Sequence, residues 1–244
     1  MIQACLNGRR TTEDHPAVPI TARQLAADAR RVQDAGASGV HLHPRDAHAR
    51  ESLDARVVSA AVRAVREACP GLQISVSTGL WMGDGDVAAR QAAVEGWAAA
   101  EDRPDVVSLN LGEPGFERLA DTLGELGIGI EAGVWSEADA VRLLDSGRTA
   151  SCSRILVEMI DLPAPRALSE ADRILRRLAG AGADVPVLLH GEDECAWPVL
   201  DRALALGLET RIGLEDTLTG PDGRDAEGNA ALVHCAVGRR TRVR

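Results

Sequence analysis

The stretch Gly39-Val40-His41-Leu42-His43-Pro44-Arg45-Asp46 guides the interpretation of the whole chain. The stretch follows a turn of small residues and begins with an apolar strand, which ends at Pro44. Because side chains alternate along a strand, His41 and His43 are predicted to project from the same face. Neutral imidazole nitrogens are good Zn²⁺ ligands, so the pair would supply half of a metal site. The plainer interpretation is two polar residues satisfied by neighbours or by water.

The composition argues against several classes of partner. The chain has 244 residues, of which 45% are hydrophobic and 26% charged, as is typical of a globular protein in water. A net charge of −10 argues against nucleic acid or an anionic membrane as a partner. No apolar run approaches the ~20 residues of a membrane span, and the first residues do not resemble a signal peptide. The five scattered cysteines are typical of reduced thiols, so we expect a cytoplasmic protein.

The chain contains no lysine, so all 27 basic residues are arginine. A lysine Schiff base, a carbamylated lysine and a P-loop lysine are therefore excluded. If the protein makes or breaks carbon–carbon bonds beside a carbonyl group, a metal ion must act as the electrophile.

Apolar segments alternate with helical patterns along the whole sequence. Strands are predicted over residues 2–7, 39–43, 72–77, 105–111, 128–133, 154–160, 185–190 and 210–215. Helices are predicted to start after Thr21, over 53–68, after Asp84 or Asp86, over 116–126, after Ser136, over 169–179, through Leu200 and Leu204, and over 229–237. Eight such units with short loops predict an α/β fold of the (β/α)8 TIM-barrel type, as a single catalytic domain over residues 1–244. The rival, a doubly wound sheet, lacks its GxGxxG motif here.

In such barrels the active site lies at the carboxyl ends of the strands. Polar residues at the predicted strand ends are Asn7, His41, His43, Ser77, Asn110, Glu131, Glu158, His190 and the run 211–216. Side-chain layers inside the barrel come from alternate strands, so Glu215 is predicted to reach the two histidines of the second strand. Two imidazoles and a carboxylate are a common ligand set for catalytic Zn²⁺. The alternative for Glu215 is a salt bridge with Arg211, and His190 remains open as a third imidazole ligand.

Two further residues are candidates for chemistry at the barrel mouth. Asp216, at the end of the predicted eighth strand, would be placed to accept a proton. The Ser77 hydroxyl would donate a hydrogen bond to a substrate carboxylate or an oxyanion, or would only close a turn.

With these residues the chain resembles the beta-keto acid cleavage enzyme family, whose founding activity is 3-keto-5-aminohexanoate cleavage. The resemblance covers essentially the whole chain. It rests on Asn7-Gly8-Arg9 to Thr21, Gly36-Ala37 to Asp46, Ser77-Thr78-Gly79, Ser108-Leu109-Asn110-Leu111, Glu131-Ala132-Gly133, Arg211-Ile212-Gly213-Leu214-Glu215-Asp216 and Asn229. The spaced His-x-His and Arg-x-Gly-x-Glu-Asp motifs are its most specific part.

The resemblance implies a Zn²⁺-dependent acyltransferase that condenses a β-keto acid with acetyl-CoA, giving acetoacetate and a new acyl-CoA. It implies Zn²⁺ bound by His41, His43 and Glu215. It also implies that Asp216 takes a proton from C2 of the substrate, that Arg211 positions Asp216, and that Ser77 binds the substrate carboxylate. Family members are usually homotetramers, so we expect a homo-oligomer, tetramer or dimer.

The substrate contacts implied by the resemblance are less specific. They are Glu131 beside the variable part of the substrate, together with Asn110, Thr78, Gly79 and Arg9; residues that bind CoA are not identified. Arg9 and Arg10 stand where the founding activity carries an acidic residue, so an anionic or neutral substrate tail is favoured if either side chain points inward. If both point outward, they would meet the CoA phosphates, a neighbouring subunit or solvent. Glu131 would instead favour an amine. The rival functions are a Zn²⁺-dependent aldolase or hydrolase without CoA, and a non-catalytic barrel that retains the metal.

Overall fold

The computed structural model describes residues 1–243 of the chain, with side chains as far as Thr241. Strands and α-helices alternate within these residues. The strands, β1 to β8, are Ile2–Cys5, Gly39–Leu42, Gln73–Ser77, Val106–Asn110, Gly129–Val134, Arg154–Met159, Val187–Gly191 and Thr210–Ile212. The helices, α1 to α8, are Ala22–Asp34, Ala55–Ala68, Val87–Glu95, Phe116–Glu125, Glu137–Asp145, Ala164–Gly180, Ala196–Ala205 and Asn229–Val243. None of them is long and apolar enough to cross a membrane.

The strands form one parallel sheet that curls into a barrel. Their order is β7-β6-β5-β4-β3-β2-β1-β8, so the two ends of the sheet are β7 and β8. A bridge between Leu188 and Glu209 joins these ends, and the Leu189 amide donates to the Glu209 carbonyl at 2.9 Å. The predicted (β/α)8 barrel is therefore confirmed.

Helix starts follow the capping residues in the sequence. The Thr21 hydroxyl accepts from the Gln24 amide at 3.2 Å, and the Gln24 side chain accepts from the Thr21 amide at 2.9 Å. Asp86 and Ser136 likewise accept hydrogen bonds from amides in the first turns of α3 and α5. Each cap satisfies amides that have no partner inside the helix and so fixes where the helix begins.

The apolar core lies between the sheet and the surrounding helices. Val40 and Leu42 of β2 are fully buried in it, together with Leu25 and Val32 of α1. Burial of such side chains contributes about 1.5–3 kcal/mol each. Because side chains alternate along a strand, His41, which lies between Val40 and Leu42, points into the barrel.

The lumen of the barrel is polar. Gln3 of β1 donates a hydrogen bond to Glu131 of β5 at 3.1 Å, and Arg154 of β6 contacts Gln73 of β3. These strands are not neighbours, so the side chains must meet across the lumen. Charged and hydrogen-bonded side chains therefore fill the lumen directly below the barrel mouth.

The prediction of a strand over residues 210–215 is wrong in its extent, because β8 ends at Ile212. A Cβ atom on Gly213 would lie 1.9 Å from the Cys5 carbonyl oxygen, so only glycine lets the chain pass β1 this closely. The Gly213 carbonyl then accepts from the Asp216 amide at 2.9 Å. The chain thus leaves the sheet in a tight turn, and the two carboxylates that follow do not alternate as they would in a strand.

Gly213→Ala is expected to lower the free energy of unfolding by about 3 kcal/mol or more, because the added methyl group overlaps backbone. Urea unfolding measures the change. The control is Gly124→Ala in α4, where a Cβ atom meets nothing within 4 Å; it is expected to stabilise by about 0.5–1 kcal/mol. Equal stability of both variants and the wild type would show that the Gly213 contact does not constrain the fold.

Candidate active site

A cavity of about 700 Å³ opens at the carboxyl ends of the strands. Most of the residues that the sequence places in the site line it: His41, His43, Ser77, Asn110, Arg211, Glu215 and Arg9. Thr78, Gly79, Glu131 and Asp216 do not.

Two imidazole rings converge beneath this cavity. His41 lies in β2 and His43 directly follows the strand, and their Nε2 atoms are 3.2 Å apart. Each Nδ1 atom faces an outer partner instead. His41 Nδ1 lies 2.9 Å from the Ser75 hydroxyl, and His43 Nδ1 contacts the Glu51 carboxylate. Both rings are therefore held so that Nε2 faces the cavity.

The hydrogen-bond partners of the two rings indicate which ring nitrogen carries the proton. Burial raises the pKa of Glu51, but the hydrogen bond with His43 outweighs burial, so the net pKa is lowered. Glu51 is therefore a carboxylate, which can only accept hydrogen bonds. His43 Nδ1 is therefore the donor, and in the neutral tautomer that can bind a metal its Nε2 carries the free lone pair. Burial, together with the nearby Arg211 charge, lowers the pKa of His41 well below its usual value, so that ring is neutral.

Glu215 completes a group of three potential ligands. Its Oε1 atom lies 3.7 Å from His43 Nε2 and 3.9 Å from His41 Nε2. Its Oε2 atom is buried and has no hydrogen-bond partner among the described residues. Two donors that are 2.0–2.1 Å from one tetrahedral ion lie about 3.3 Å apart. The three side chains therefore fit a single metal ion, and bare lone pairs facing one another favour a cation between them.

Arg211 links this group to a second carboxylate. It donates to Glu215 Oε1 at 3.0 Å and lies 3.3 Å from Asp216 Oδ1 and 3.6 Å from Glu158 Oε2. The salt bridge that was the alternative interpretation of Glu215 is thus present together with the approach to the histidines. One guanidinium therefore contacts three acidic groups and offsets part of their negative charge.

Asp216 is fully buried behind the residues that line the cavity. Its Oδ1 atom lies 3.3 Å from both Arg211 Nε and His190 Nδ1, and its Oδ2 atom has no hydrogen-bond partner among the described side chains. Burial raises the pKa of Asp216, but the Arg211 charge and the adjacent His190 ring outweigh burial, so the net pKa is lowered. The site thus holds a charged carboxylate with one free oxygen. His190 Nε2 faces Glu158 Oε2 at 3.1 Å, so this ring lies between two carboxylates and outside the group of three ligands.

The polar residues after β3 and β4 differ in what they offer a ligand. The Ser77 hydroxyl lines the cavity and accepts from the Gly79 amide at 3.3 Å. Asn110 also lines the cavity and donates to Glu113 at 3.0 Å. Thr78 is fully buried, and its hydroxyl donates at 2.6 Å to a backbone carbonyl of β4. Of these residues, Ser77 and Asn110 face the space where a ligand would lie.

Trp81 forms one wall of the cavity. Its ring stacks on His43 with centroids 6.3 Å apart and 25° between the planes, and its Nε1 donates to Glu51 at 3.3 Å. A Cβ atom on Gly79 would lie 2.1 Å from the indole. Gly79 therefore makes room for the tryptophan and does not itself line the cavity.

The expectation that Glu131 lies beside the variable part of a substrate does not fit its position. The side chain is 0% exposed, and its Oε1 atom lies 3.1 Å from Arg154 Nε. The strand-end rule fails here because Glu131 lies inside β5, whose last residues are Gly133 and Val134. A Cβ atom on Gly133 would lie 2.4 Å from Asn110 Oδ1, so the strand end itself carries no side chain toward the cavity.

Five acidic residues that line the cavity were not predicted, and Glu51 and Glu192 are the two that bear on the chemistry of the site. Glu51 follows His43 in a loop, and the tendency of metal-binding histidines to donate to a carboxylate was the available signal. Glu192 lines the cavity just after β7. Burial and the negative charges of Asp216 and Glu215 raise the pKa of Glu192 to about 7. Glu192 lies two residues after His190, so alternation along the strand would place both side chains on one face, and this spacing was the available signal.

Comparison with known proteins agrees with this geometry. A family described as beta-keto acid cleavage enzyme matches residues 1–242. The 3-keto-5-aminohexanoate cleavage enzyme of Acetoanaerobium sticklandii is 26% identical, over 97% of this chain and 90% of that enzyme. The enzyme of the same name from Fusobacterium nucleatum is 32% identical over 117 residues, which are 48% of this chain and only 40% of that enzyme. The 3-oxoadipate:acetyl-CoA acetyltransferase of Cupriavidus necator is 28% identical, over 90% of this chain and 80% of that enzyme.

A solved structure shares the fold. The binary complex of ObcA with oxaloacetate superposes with a TM-score of 0.75 at 20% identity. The match covers 91% of this chain and 63% of ObcA, so the chain spans less than two thirds of that protein. The resemblance seen in the sequence is confirmed over nearly its full length, and the chain belongs to the beta-keto acid cleavage enzyme family.

Proposed function

We propose that the protein condenses a β-keto acid with acetyl-CoA and releases acetoacetate and a new acyl-CoA, using Zn²⁺ held by His41, His43 and Glu215. The observation that carries the proposal is the convergence of two Nε2 atoms and a carboxylate oxygen, 3.2–3.9 Å apart, on one point below the cavity. Two imidazoles and one carboxylate leave a tetrahedral ion an open position for substrate, which is typical of catalytic zinc sites. The family assignment supports the type of reaction.

A bound Zn²⁺ would polarise the β-keto group and hold the substrate carboxylate. Ser77 and Asn110, on the wall of the cavity, are proposed to donate hydrogen bonds to that carboxylate. Neither side chain carries a charge that would compete for the ion.

Asp216 is proposed to accept the proton from C2 of the substrate. Arg211 and His190 hold its Oδ1 atom and keep the carboxylate charged, while Oδ2 has no partner among the described residues and is free to take a proton. Arg211 itself lines the cavity, so Asp216 lies one side chain behind the substrate.

The bonds of the proposed reaction balance without an oxidant or reductant. After C2 loses its proton, a bond forms between C2 and the acetyl carbonyl carbon, and CoA leaves as the thiolate. The thiolate then attacks the original keto carbon, and the bond between C2 and C3 breaks. C2 regains a proton, so the acetyl group ends in acetoacetate and the remainder of the keto acid ends on CoA.

The tail of the keto acid is proposed to be anionic. Arg9 is exposed at the cavity mouth and has no ion pair among the side chains that the structure describes. Arg10, in contrast, lies 2.5 Å from the Asp193 carboxylate and donates to the Glu215 carbonyl at 3.2 Å. Arg9 is thus the cation still available for a distal carboxylate, and its planar fork suits one.

Arg9→Gln is expected to lower kcat/KM for a β-keto dicarboxylate about tenfold, because an exposed charge-assisted contact contributes about 1.5 kcal/mol. An uncharged β-keto acid is expected to change little. Steady-state release of acetoacetate measures both, with the exposed Arg56→Gln on α2 as the control. If an aminated β-keto acid is the best wild-type substrate, or if the order of preference is unchanged, Arg9 does not bind the tail.

A panel of β-keto acids, each with and without acetyl-CoA, tests the proposed reaction. Product masses are expected to show acetoacetate together with an acyl-CoA derived from the keto acid. Cleavage that proceeds equally well without acetyl-CoA would support the Zn²⁺-dependent aldolase or hydrolase instead. A homo-oligomeric state and a cytoplasmic location remain predictions, and light scattering tests the first.

A further inference from the structure

Glu131 was predicted for the site, but the proposed reaction does not use it. Its two carboxylate oxygens have different partners. Oε1 lies 3.1 Å from Arg154 Nε and accepts from Gln3 at 3.1 Å. Oε2 contacts the Ser75 hydroxyl. Arg154 and Gln3 therefore fix the carboxylate, and they leave one oxygen directed at Ser75.

Ser75 connects Glu131 to His41, and its single proton decides the direction of the hydrogen bonds. A hydroxyl has one proton to donate and two lone pairs to accept with, whereas a carboxylate can only accept. Ser75 therefore donates to Glu131 and has to accept from the ring atom on its other side, His41 Nδ1, at 2.9 Å. This assigns the proton of neutral His41 to Nδ1 and leaves its Nε2 bare.

We propose that Ser75 and Glu131 are positioning residues for the metal site: they fix the ring orientation and the tautomer of His41 through a buried chain of hydrogen bonds anchored by Arg154. The proposal rests on the metal site proposed above. It gives the two histidines different support, because His43 donates directly to Glu51 at the edge of the cavity, whereas the support of His41 lies deep in the lumen.

The strength of this support follows from burial. Ser75 and Glu131 are both 0% exposed, so water cannot replace either hydrogen bond. Arg154 is held in addition by Glu209 at 2.8 Å, so the anchor reaches the opposite end of the barrel. Loss of comparable outer partners in metal sites typically weakens metal binding 10–100-fold.

Zinc affinity measured by competition with a chromophoric chelator tests the proposal. Ser75→Ala, which keeps the ion pair of Glu131 and Arg154, is expected to bind Zn²⁺ about 10–100-fold more weakly than the wild type. Glu131→Gln is expected to weaken binding in the same direction. The controls are Ser59→Ala and Asp28→Asn, which alter a buried serine and a buried carboxylate outside the site and are expected to leave zinc affinity unchanged.

A second measurement separates positioning from general destabilisation. Nitrogen-15 spectra of the metal-free protein are expected to show His41 as the Nδ1–H tautomer in the wild type and to lose that signature in Ser75→Ala. A wild type that binds no zinc would overturn the proposed metal site. A wild type that binds zinc, with unchanged affinity in Ser75→Ala, would overturn only the role of Ser75 and Glu131. Equal weakening in the controls would contradict it as well, because the effect would then be one of stability.

Discussion

His41→Ala is expected to abolish metal binding and to reduce turnover by at least about a thousandfold. Polarisation of a carbonyl by a metal ion is worth several kcal/mol, and about 4 kcal/mol corresponds to a factor of a thousand in rate. The two remaining ligands, His43 and Glu215, are too few to retain the ion through purification. Metal content of the purified protein and steady-state kinetics measure the two effects together.

The matched control is His234→Ala, which removes an exposed imidazole on α8. It is expected to keep both metal and turnover. Circular dichroism should show that the His41→Ala barrel is still folded, because the apolar core lies on the other face of β2. A folded His41→Ala variant that retains stoichiometric zinc would remove His41 from the ligand set.

Asp216→Asn is expected to keep the metal and to lose about two to four orders of magnitude in turnover, the usual contribution of a general base. The amide fills the same buried space, but it cannot accept a proton from carbon. Arg211 retains its contact with Glu215 at 3.0 Å, so the ligand group should remain in place. Metal analysis and single-turnover kinetics measure the change.

Glu192→Gln is the comparison that tests this assignment. Glu192 lines the cavity, and burial with the neighbouring negative charges raises its pKa to about 7, so it is the rival base. It is expected to cost less than Asp216→Asn. If it costs more, the base is Glu192; loss of zinc from Asp216→Asn would instead make Asp216 a ligand.

The fold could be predicted from the sequence because the signals for it are local. Apolar strands, capping residues and short loops repeat eight times, and each unit can be recognised by itself. The boundaries were less certain. Helix α6 begins at Ala164 and not at residue 169, because Pro165 is tolerated in the first turn of a helix although it suggests a loop.

The candidate site was predictable only where its geometry is local. His41 and His43 are two residues apart on one strand, so alternation alone brings them together. The approach of Glu215 depends on the turn that begins at Gly213, which a regular strand pattern does not reveal. The outer partners, Glu51 for one histidine and Ser75 for the other, depend on how loops and strands pack, and no spacing in the sequence encodes that.

The most direct test of the account follows the acetyl group. The protein is incubated with a β-keto acid and with acetyl-CoA carrying carbon-13 in both acetyl carbons, and the products are analysed by mass spectrometry. The proposed reaction predicts that acetoacetate carries both labelled carbons and that the new acyl-CoA carries none. Unlabelled acetoacetate, or keto acid cleavage that leaves the labelled acetyl-CoA intact, would contradict it.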